Sequence, residues 1–348
     1  MSGASNPVGA AGPPDELPAL PPGWWEPERF SEWASIGRWS IALVGLSSTD
    51  REGVEALGSA ADPDGPPEQR AYFELLERIA VLDAARRREA VWTRLDVDGK
   101  PLGVQPTETL FPNSPLPNRW RYARSNGVAA HHSWHAACSA AARELAERDR
   151  VLRAWLGDVA PFELALPTDW PHEDLERHYE LRLFVFGEPE PSGVAGELVY
   201  VAGLFGFPRS AGAPLVYGFG ADCGEAAATG AAARECLQRL GFLWGQEIPG
   251  SVPESAPTPA YHQEYYLCPS KHECLRRWLS GAHRHASRAL PLGRKGPEAF
   301  VSLTPKELSG RLHIVKAVSG CMLPLAFGDV PADIWAPLPP PTGVHPIA

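Results

Sequence analysis

Three alanine-rich, largely apolar segments of this chain each carry acidic or amide side chains beside an arginine, and any fold must find a place for them. "AYFELLERIAVLDA" (71–84) holds Glu74, Glu77 and Arg78. "AARELAERDRVLRAW" (141–155) holds Glu144, Glu147 and Arg148, and "AAARECLQRLGFLWG" (231–245) holds Glu235, Gln238 and Arg239. Each reads E-x-x-[EQ]-R, and positions i, i+3 and i+4 share one face of a helix. One such face is ordinarily a solvated Glu–Arg pair. Three of them on apolar helices are another matter, because an unpaired carboxylate resists burial. The spacing between the segments is too unequal for a solenoid, so the sequence predicts three helices converging on one place. Clustered carboxylates facing one cavity need arginines or metal ions, and Mg²⁺ bridging to phosphate oxygens is the usual arrangement.

Composition narrows the function classes. The 348 residues are 44% hydrophobic, 21% charged and carry a net charge of −10. Without a Lys/Arg-rich run, this balance argues against nucleic acid and against a basic membrane-docking surface. No apolar run suits a membrane span and no export signal is visible, so the expected location is cytoplasmic. The six cysteines are scattered with no repeated C-x-x-C, which predicts free thiols.

Residues 1–22 are rich in proline, glycine and alanine and read as a disordered leader. Residues 23–336 read as one large domain, and 337–348 as a proline-rich tail that cannot be helical. Strand-like runs fall at 40–46, 179–187, 197–207, 213–220, 298–303 and 312–319. Helical segments fall at about 67–91, 133–156, 225–244 and 270–286. Strand runs that follow one another without an intervening helix favour an α+β domain with mixed sheets over a doubly wound one.

The second segment sits in "ARSNGVAAHHSWHAACSAAARELAERDRVLRAWLG" (123–157), which resembles the signature of the YcaO family: S-N-G-x-A, an alanine-rich helix, then E-L-x-E-R-D and a tryptophan. "GSAADPDGPPEQRAYFELLER" is similar to that family's upstream helix, "GFGADCGEAAATGAAARECLQRLGFLWG" to its third element, and "RLHIVKAVSGCMLPLAFG" to its late strand and F-G turn. The resemblance spans roughly residues 36 to 348. It implies ATP-dependent activation of a peptide backbone amide: a Cys, Ser or Thr side chain attacks the preceding carbonyl, and phosphorylation lets the oxygen leave, giving an azoline. Backbone thioamidation with a TfuA-like partner, amidine formation, and a non-catalytic scaffold are the alternatives within the resemblance. Implied partners are a ribosomally made precursor peptide and an E1-like or ThiF-like protein that grips its leader; a homodimer is left open.

On this resemblance Glu74, Glu77, Glu144 and Glu147 match the Mg²⁺-holding carboxylates. Arg78 and Arg148 match the arginines of the same motifs, Ser125, Asn126 and Gly127 the nucleotide-side turn, and Glu235 and Gln238 the third element. No residue is singled out as the catalytic acid, base or nucleophile. The chain departs from the pattern in three places. His131 stands where members often have glycine, and Ala231 where many have an arginine, with Arg234 beside Glu235 instead. The end, Val344-His345-Pro346-Ile347-Ala348, keeps only the middle proline of a P-x-P-x-P tail that in azoline-forming members reaches towards the active site. This weakens azoline formation relative to thioamide or amidine chemistry.

Other motifs are poorer guides. "YGFGADCG" follows a strand and precedes a helix, but its spacing and the absence of a following acidic strand end argue against a dinucleotide site. Cys268, Cys274, His272, His283 and His285 lack the tight ligand pairs of a zinc site. His131 and His135 read as surface histidines at a helix start. There is no Walker loop and no G-x-S-x-G elbow.

Overall fold

A computed structural model describes residues 17–36, 39–87, 90–167, 173–191, 194, 197–210, 212–281, 296–338 and 343–348. In chain order the elements are β1 (Glu28–Ile36), β2 (Trp39–Thr49), β3 (Glu55–Asp62), α1 (Glu68–Arg86), β4 (Val91–Leu95), β5 (Pro101–Pro106), α2 (Thr107–Leu110), β6 (Trp120–Tyr122) and β7 (Val128–His131). There follow α3 (Trp134–Trp155), β8 (Pro161–Leu164), α4 (Glu173–Glu176), β9 (Tyr179–Phe186), β10 (Glu190–Pro191), β11 (Leu198–Pro208), β12 (Val216–Asp222) and α5 (Glu225–Leu243). The chain closes with α6 (Pro259–Leu267), α7 (His272–Leu279), β13 (Ala299–Ser302), β14 (His313–Val318) and β15 (Ala326–Gly328).

The architecture is α+β. Strands β1-β2-β3 form a meander, β10-β11-β9-β8 with β12 on β11 form a second sheet, β5-β4-β13-β14-β7 a third, and β15-β6 a small ribbon. Every strand pair among the described residues is antiparallel. No helix among them is long and apolar enough to cross a membrane.

Period-2 alternation explains how the layers assemble. On β2, Val44 and Leu46 pack with α1 residues Leu75, Leu76 and Ile79, whereas Ile41 and Leu43 pack with Ala232 and Leu240 of α5. On the third sheet, Val128, Ala130 and Ile314 face α1, whereas Ala129, Val315 and Ala317 face Ala137, Ala141 and Leu145 of α3. On the second sheet, Ala202, Leu204 and Val216 face α5, whereas Phe205, Phe207 and Phe219 meet Val151 and Trp155 of α3. Three long helices and three sheets therefore alternate in a closed cycle, each helix gripped between two sheets. Alanine-rich helices suit this role, since small side chains let a helix lie close to a sheet on both sides. Gly58 makes the approach on β3 extreme: a Cβ there would lie 2.2 Å from the Ala71 carbonyl oxygen of α1.

Six of the expected leader residues, 17–22, are described. Pro18 and Pro21 are buried, and the Tyr72 hydroxyl donates to the Pro18 carbonyl. Residues 1–16 lie outside the described residues, as do 339–342 of the tail. The helix expected over 270–286 is observed as α7, and the part from 282 onward, with His283 and His285, is outside the described residues.

Candidate nucleotide and metal site

The close contact at Gly58 sets the first carboxylate. Glu74 lies one helical turn after Ala71, and its Oε2 accepts the Ser59 N–H at 2.9 Å. Its Oε1 accepts from Arg78 Nη2 at 3.1 Å, and Arg78 Nη1 lies 3.4 Å from Ser125 Oγ. Next on α1, Glu77 Oε1 accepts the Ala130 N–H of β7 at 2.7 Å. From the other side of that sheet, Glu144 Oε2 accepts the Val128 N–H at 3.2 Å. On α5, Gln238 Nε2 donates to Ser59 Oγ at 3.2 Å, so Ser59 joins α1 and α5 through its two polar groups. Glu74, Glu77 and Glu144 are thus held by strand N–H groups.

Those N–H groups do not neutralise them. Burial, followed by the charge of Glu144, pushes the Glu77 carboxyl well up. Burial also raises Glu144, against Arg148, Arg78 and Lys316. Glu147 is pushed up to about 8, by burial first and by Glu235 and Glu144, with Arg148 opposing. Arg148 is the centre of this field. Burial works against its charge, but Glu147, Glu235, Glu144 and Glu74, from all three helices, outweigh it and hold its pKa above the usual value. Its Nη1 approaches Glu147 Oε1 only to 3.4 Å and makes no hydrogen bond although buried. A buried guanidinium N–H without an acceptor, beside carboxyls that resist ionisation, is a site short of both an oxygen anion and a cation.

The turn between β6 and β7 supplies another wall. Gly127 has φ +70°, a left-handed conformation in which other residues are strained, and a Cβ there would press on Leu145 at 3.2 Å. This lets the chain turn from Ser125 into β7, with the Val128 N–H returning to Ser125 O. The Asn126 Oδ1 is buried without a hydrogen bond. Lys316, buried on β14, donates to Asn126 O at 2.7 Å and Arg124 O at 3.0 Å. Burial draws its pKa down to about 8, with Glu144 pulling the other way.

Glu74, Arg78, Ser125, Arg148, Glu235 and Gln238 open onto one cavity of about 1520 Å³. Asn126, Gly127, Glu77, Glu144 and Glu147 are not in its walls. Among the described residues no three His, Cys, Asp or Glu side chains close around a single point as a protein-only metal cage would. This is compatible with Mg²⁺, which is commonly bound through one or two carboxylates together with substrate phosphates and water. Glu74 and Glu235 line the cavity together with Arg78 and Arg148, a mixture of carboxylates and guanidiniums that fits a metal–phosphate group.

The departures from the motif also find places. Ala231 and Arg234 both line the cavity, so an arginine reaches this wall one turn beyond the usual position. Ala348 lines it too. The tail behind it is held by the Tyr266 hydroxyl on Val344 O, by His262 Nδ1–H on His345 O at 3.0 Å, and by His345 Nε2–H on Ala326 O at 2.7 Å. The Gly328 N–H donates to His262 Nε2, and burial keeps His262 neutral down to about pH 2 and His345 to about pH 4. By contrast the glycines of "YGFGADCG" are absent from the cavity walls. A Cβ at Gly218 would lie 2.2 Å from the Cys236 N, so its glycine serves the packing of α5 on β12.

Sequence reasoning missed Ser59 and Lys316. Ser59 gave little signal, since its role depends on β3 lying between α1 and α5. Lys316 gave more: it is a lone charge inside the apolar run "LHIVKAVS".

No curated protein sequence matches the chain at a significant level. By fold it is similar to YcaO from Methanopyrus kandleri, bound with AMPPCP and Mg²⁺ in its solved structure, at 18% identity and a TM-score of 0.55, covering 84% of each chain. It is also similar to a heterocyclase solved in complex with substrate and cofactor, at 15% identity and a TM-score of 0.51, covering 85% of this chain and 49% of the heterocyclase. The family model for YcaO cyclodehydratase, ATP- and Mg²⁺-binding, matches residues 81–296, which include the motifs of α3 and α5. With more than half its length matched, this chain belongs to the YcaO family of ATP- and Mg²⁺-binding enzymes.

Proposed function

We propose that this chain is a peptide cyclodehydratase, forming azolines from Cys, Ser or Thr of a ribosomally made precursor peptide at the expense of ATP. The observation that carries the reading is the Arg148 centre: a half-buried guanidinium whose buried Nη1 has no hydrogen bond, set among carboxyls of three helices, of which Glu144 and Glu147 ionise poorly. Glu74, Glu77, Glu144 and Glu147 would hold Mg²⁺. Arg78, Arg148, Ser125, Asn126, Gly127, Glu235 and Gln238 would hold the nucleotide, with Arg234 taking the phosphate contact that Ala231 cannot make. ATP, when bound, supplies the phosphoryl group that converts the amide oxygen into a leaving group. The chain's own contribution is orientation and fixed charge. Arg78 and Arg148 offer N–H groups to developing negative charge, and strand N–H groups keep Glu74, Glu77 and Glu144 from turning away.

Support also comes from similarly folded proteins, one solved with AMPPCP and Mg²⁺ and one with its substrate and cofactor. The cavity exceeds the ~1,000 Å³ upper range of small-molecule pockets, leaving room for a peptide segment beside a nucleotide. An E1-like or ThiF-like partner would deliver that peptide. A second reading, backbone thioamide or amidine formation by the same activation, is favoured by the tail, which keeps Pro346 alone and is anchored through His345.

Calorimetric titration of MgAMPPCP into wild type and Glu147→Gln tests the site: micromolar, Mg²⁺-dependent binding is expected in the former and its loss in the latter. Absence of binding by folded wild type, alone and with its partner, overturns the reading. Mass spectrometry of the precursor peptide separates the chemistries: a thioamide exchanges oxygen for sulfur, whereas an azoline and an amidine each lose one water and are told apart by fragmentation at the modified residue.

A further inference from the structure

Lys316 is absent from the motifs of the three helices, yet its ammonium holds the Ser-Asn-Gly turn and feels the charge of Glu144. It sits on β14 opposite Val128 of β7, whose N–H donates to Glu144. Its Nζ donates to the carbonyls of Arg124 and Asn126, the residues on either side of Ser125. It lies 5.5 Å from the centre of the Phe111 ring. Glu144 is the carboxylate whose charge it feels. A buried ammonium bridging alternate carbonyls constrains the peptide between them, and Ser125 and Arg124 are cavity residues. A purely apolar strand would leave both carbonyls without this donor.

We propose that Lys316 is a positioning residue that fixes the Ser125 turn for nucleotide and, as a tethered cation beside Glu144, lowers the repulsion the acidic site must overcome before Mg²⁺ and phosphate arrive. The inference rests on the ATP/Mg²⁺ reading of the cavity. It assigns Lys316 no contact with substrate. Its consequence is that turn geometry and carboxylate charge are coupled through one side chain, so the two cannot be altered independently.

The test uses the full chain with Lys316→Met and Lys316→Arg, MgAMPPCP calorimetry and amide hydrogen exchange of segment 124–128. Lys316→Met should weaken MgAMPPCP by about tenfold or more, in line with loss of charged hydrogen bonds, and speed exchange at 127 and 128. Lys316→Arg, which keeps charge and donors, should recover most of both. In a double-mutant cycle, Glu144→Gln should weaken binding by a smaller factor in the Lys316→Met background than in wild type, a non-additivity that mere structural support would not produce. Wild-type affinity and exchange in Lys316→Met, or strict additivity, overturns the proposal. If Lys316→Met fails to fold, Lys316→Arg decides: near wild-type binding and exchange support the positioning role, whereas a folded variant whose nucleotide affinity collapses overturns it. Failure of wild type to bind MgAMPPCP would instead strike the functional reading itself.

Discussion

Helix α3 contains two sets of buried and half-buried charge one turn apart, and they are built on opposite plans. In the first, Glu144, Glu147 and Arg148 face other carboxylates, and Arg148 Nη1 has no hydrogen bond. In the second, Asp149 Oδ2 accepts Arg153 Nε at 2.8 Å and its Oδ1 accepts the Leu323 N–H at 2.7 Å. Arg153 Nη1 reaches Asp158 at 3.0 Å, and Arg150 pairs with Glu190 at 2.8 Å while donating to Phe186 O. The second set is closed by partners within the chain, and its work is structural. The first reaches the cavity through Arg148, with Glu144 and Glu147 outside its walls, and it leaves Arg148 Nη1 without a hydrogen bond. Buried charge alone does not mark a site; buried charge left incomplete does.

The comparison breaks most sharply at the closed set. Arg153→Met should leave Asp149 and Asp158 buried without their guanidinium and destabilise the fold by about 3–5 kcal/mol, measured by urea unfolding. A loss comparable to that of a surface substitution would mean the two sets do not differ as described.

The open set should behave in the reverse sense in chelator-treated protein. Glu77, Glu144 and Glu147 have folded-state pKa values above the unfolded carboxylate value of about 4.3. The folded state then binds more protons than the unfolded one, so stability falls as pH rises from about 4 to about 8. Melting temperature against pH should show that decline in wild type and a shallower one in Glu147→Gln. An unchanged slope would show that Glu147 does not carry the strain assigned to it.

The smallest effect belongs to the hinge between α1 and α5. Ser59→Ala removes the acceptor of Gln238 and keeps the N–H that Glu74 uses. It should cost about 1 kcal/mol or less in stability and weaken MgAMPPCP modestly. An effect as large as that of Glu147→Gln would place Ser59 in the ligand's own contacts.

Much of this was legible in advance where the signal is local. The six strand-like runs all have counterparts, in β2, β9, β11, β12, β13 and β14, because their apolar residues alternate or run continuously. β4 and β5 left little trace, since Val91, Leu102 and Val104 are exposed there and pack no core. β3, "EALGSAAD", is built of small residues that suit a helix pressed against it and resemble a loop in isolation. The helical faces were readable from i, i+3, i+4 spacing, and with them the pairing of Glu74, Glu77 and Arg78 on one side of α1.

Local sequence by itself determined that three helices each present an acidic face and that something must answer it, because helical periodicity is a property of neighbouring residues and the penalty on buried charge holds in any fold. Only the tertiary structure decided which strand N–H Glu74, Glu77 and Glu144 accept, that Ser59 joins two helices, that Lys316 closes the turn, and that one set of charges on α3 is satisfied while the next is left incomplete. Those outcomes depend on antiparallel register and on helices gripped between sheets, which bring together residues far apart in the chain.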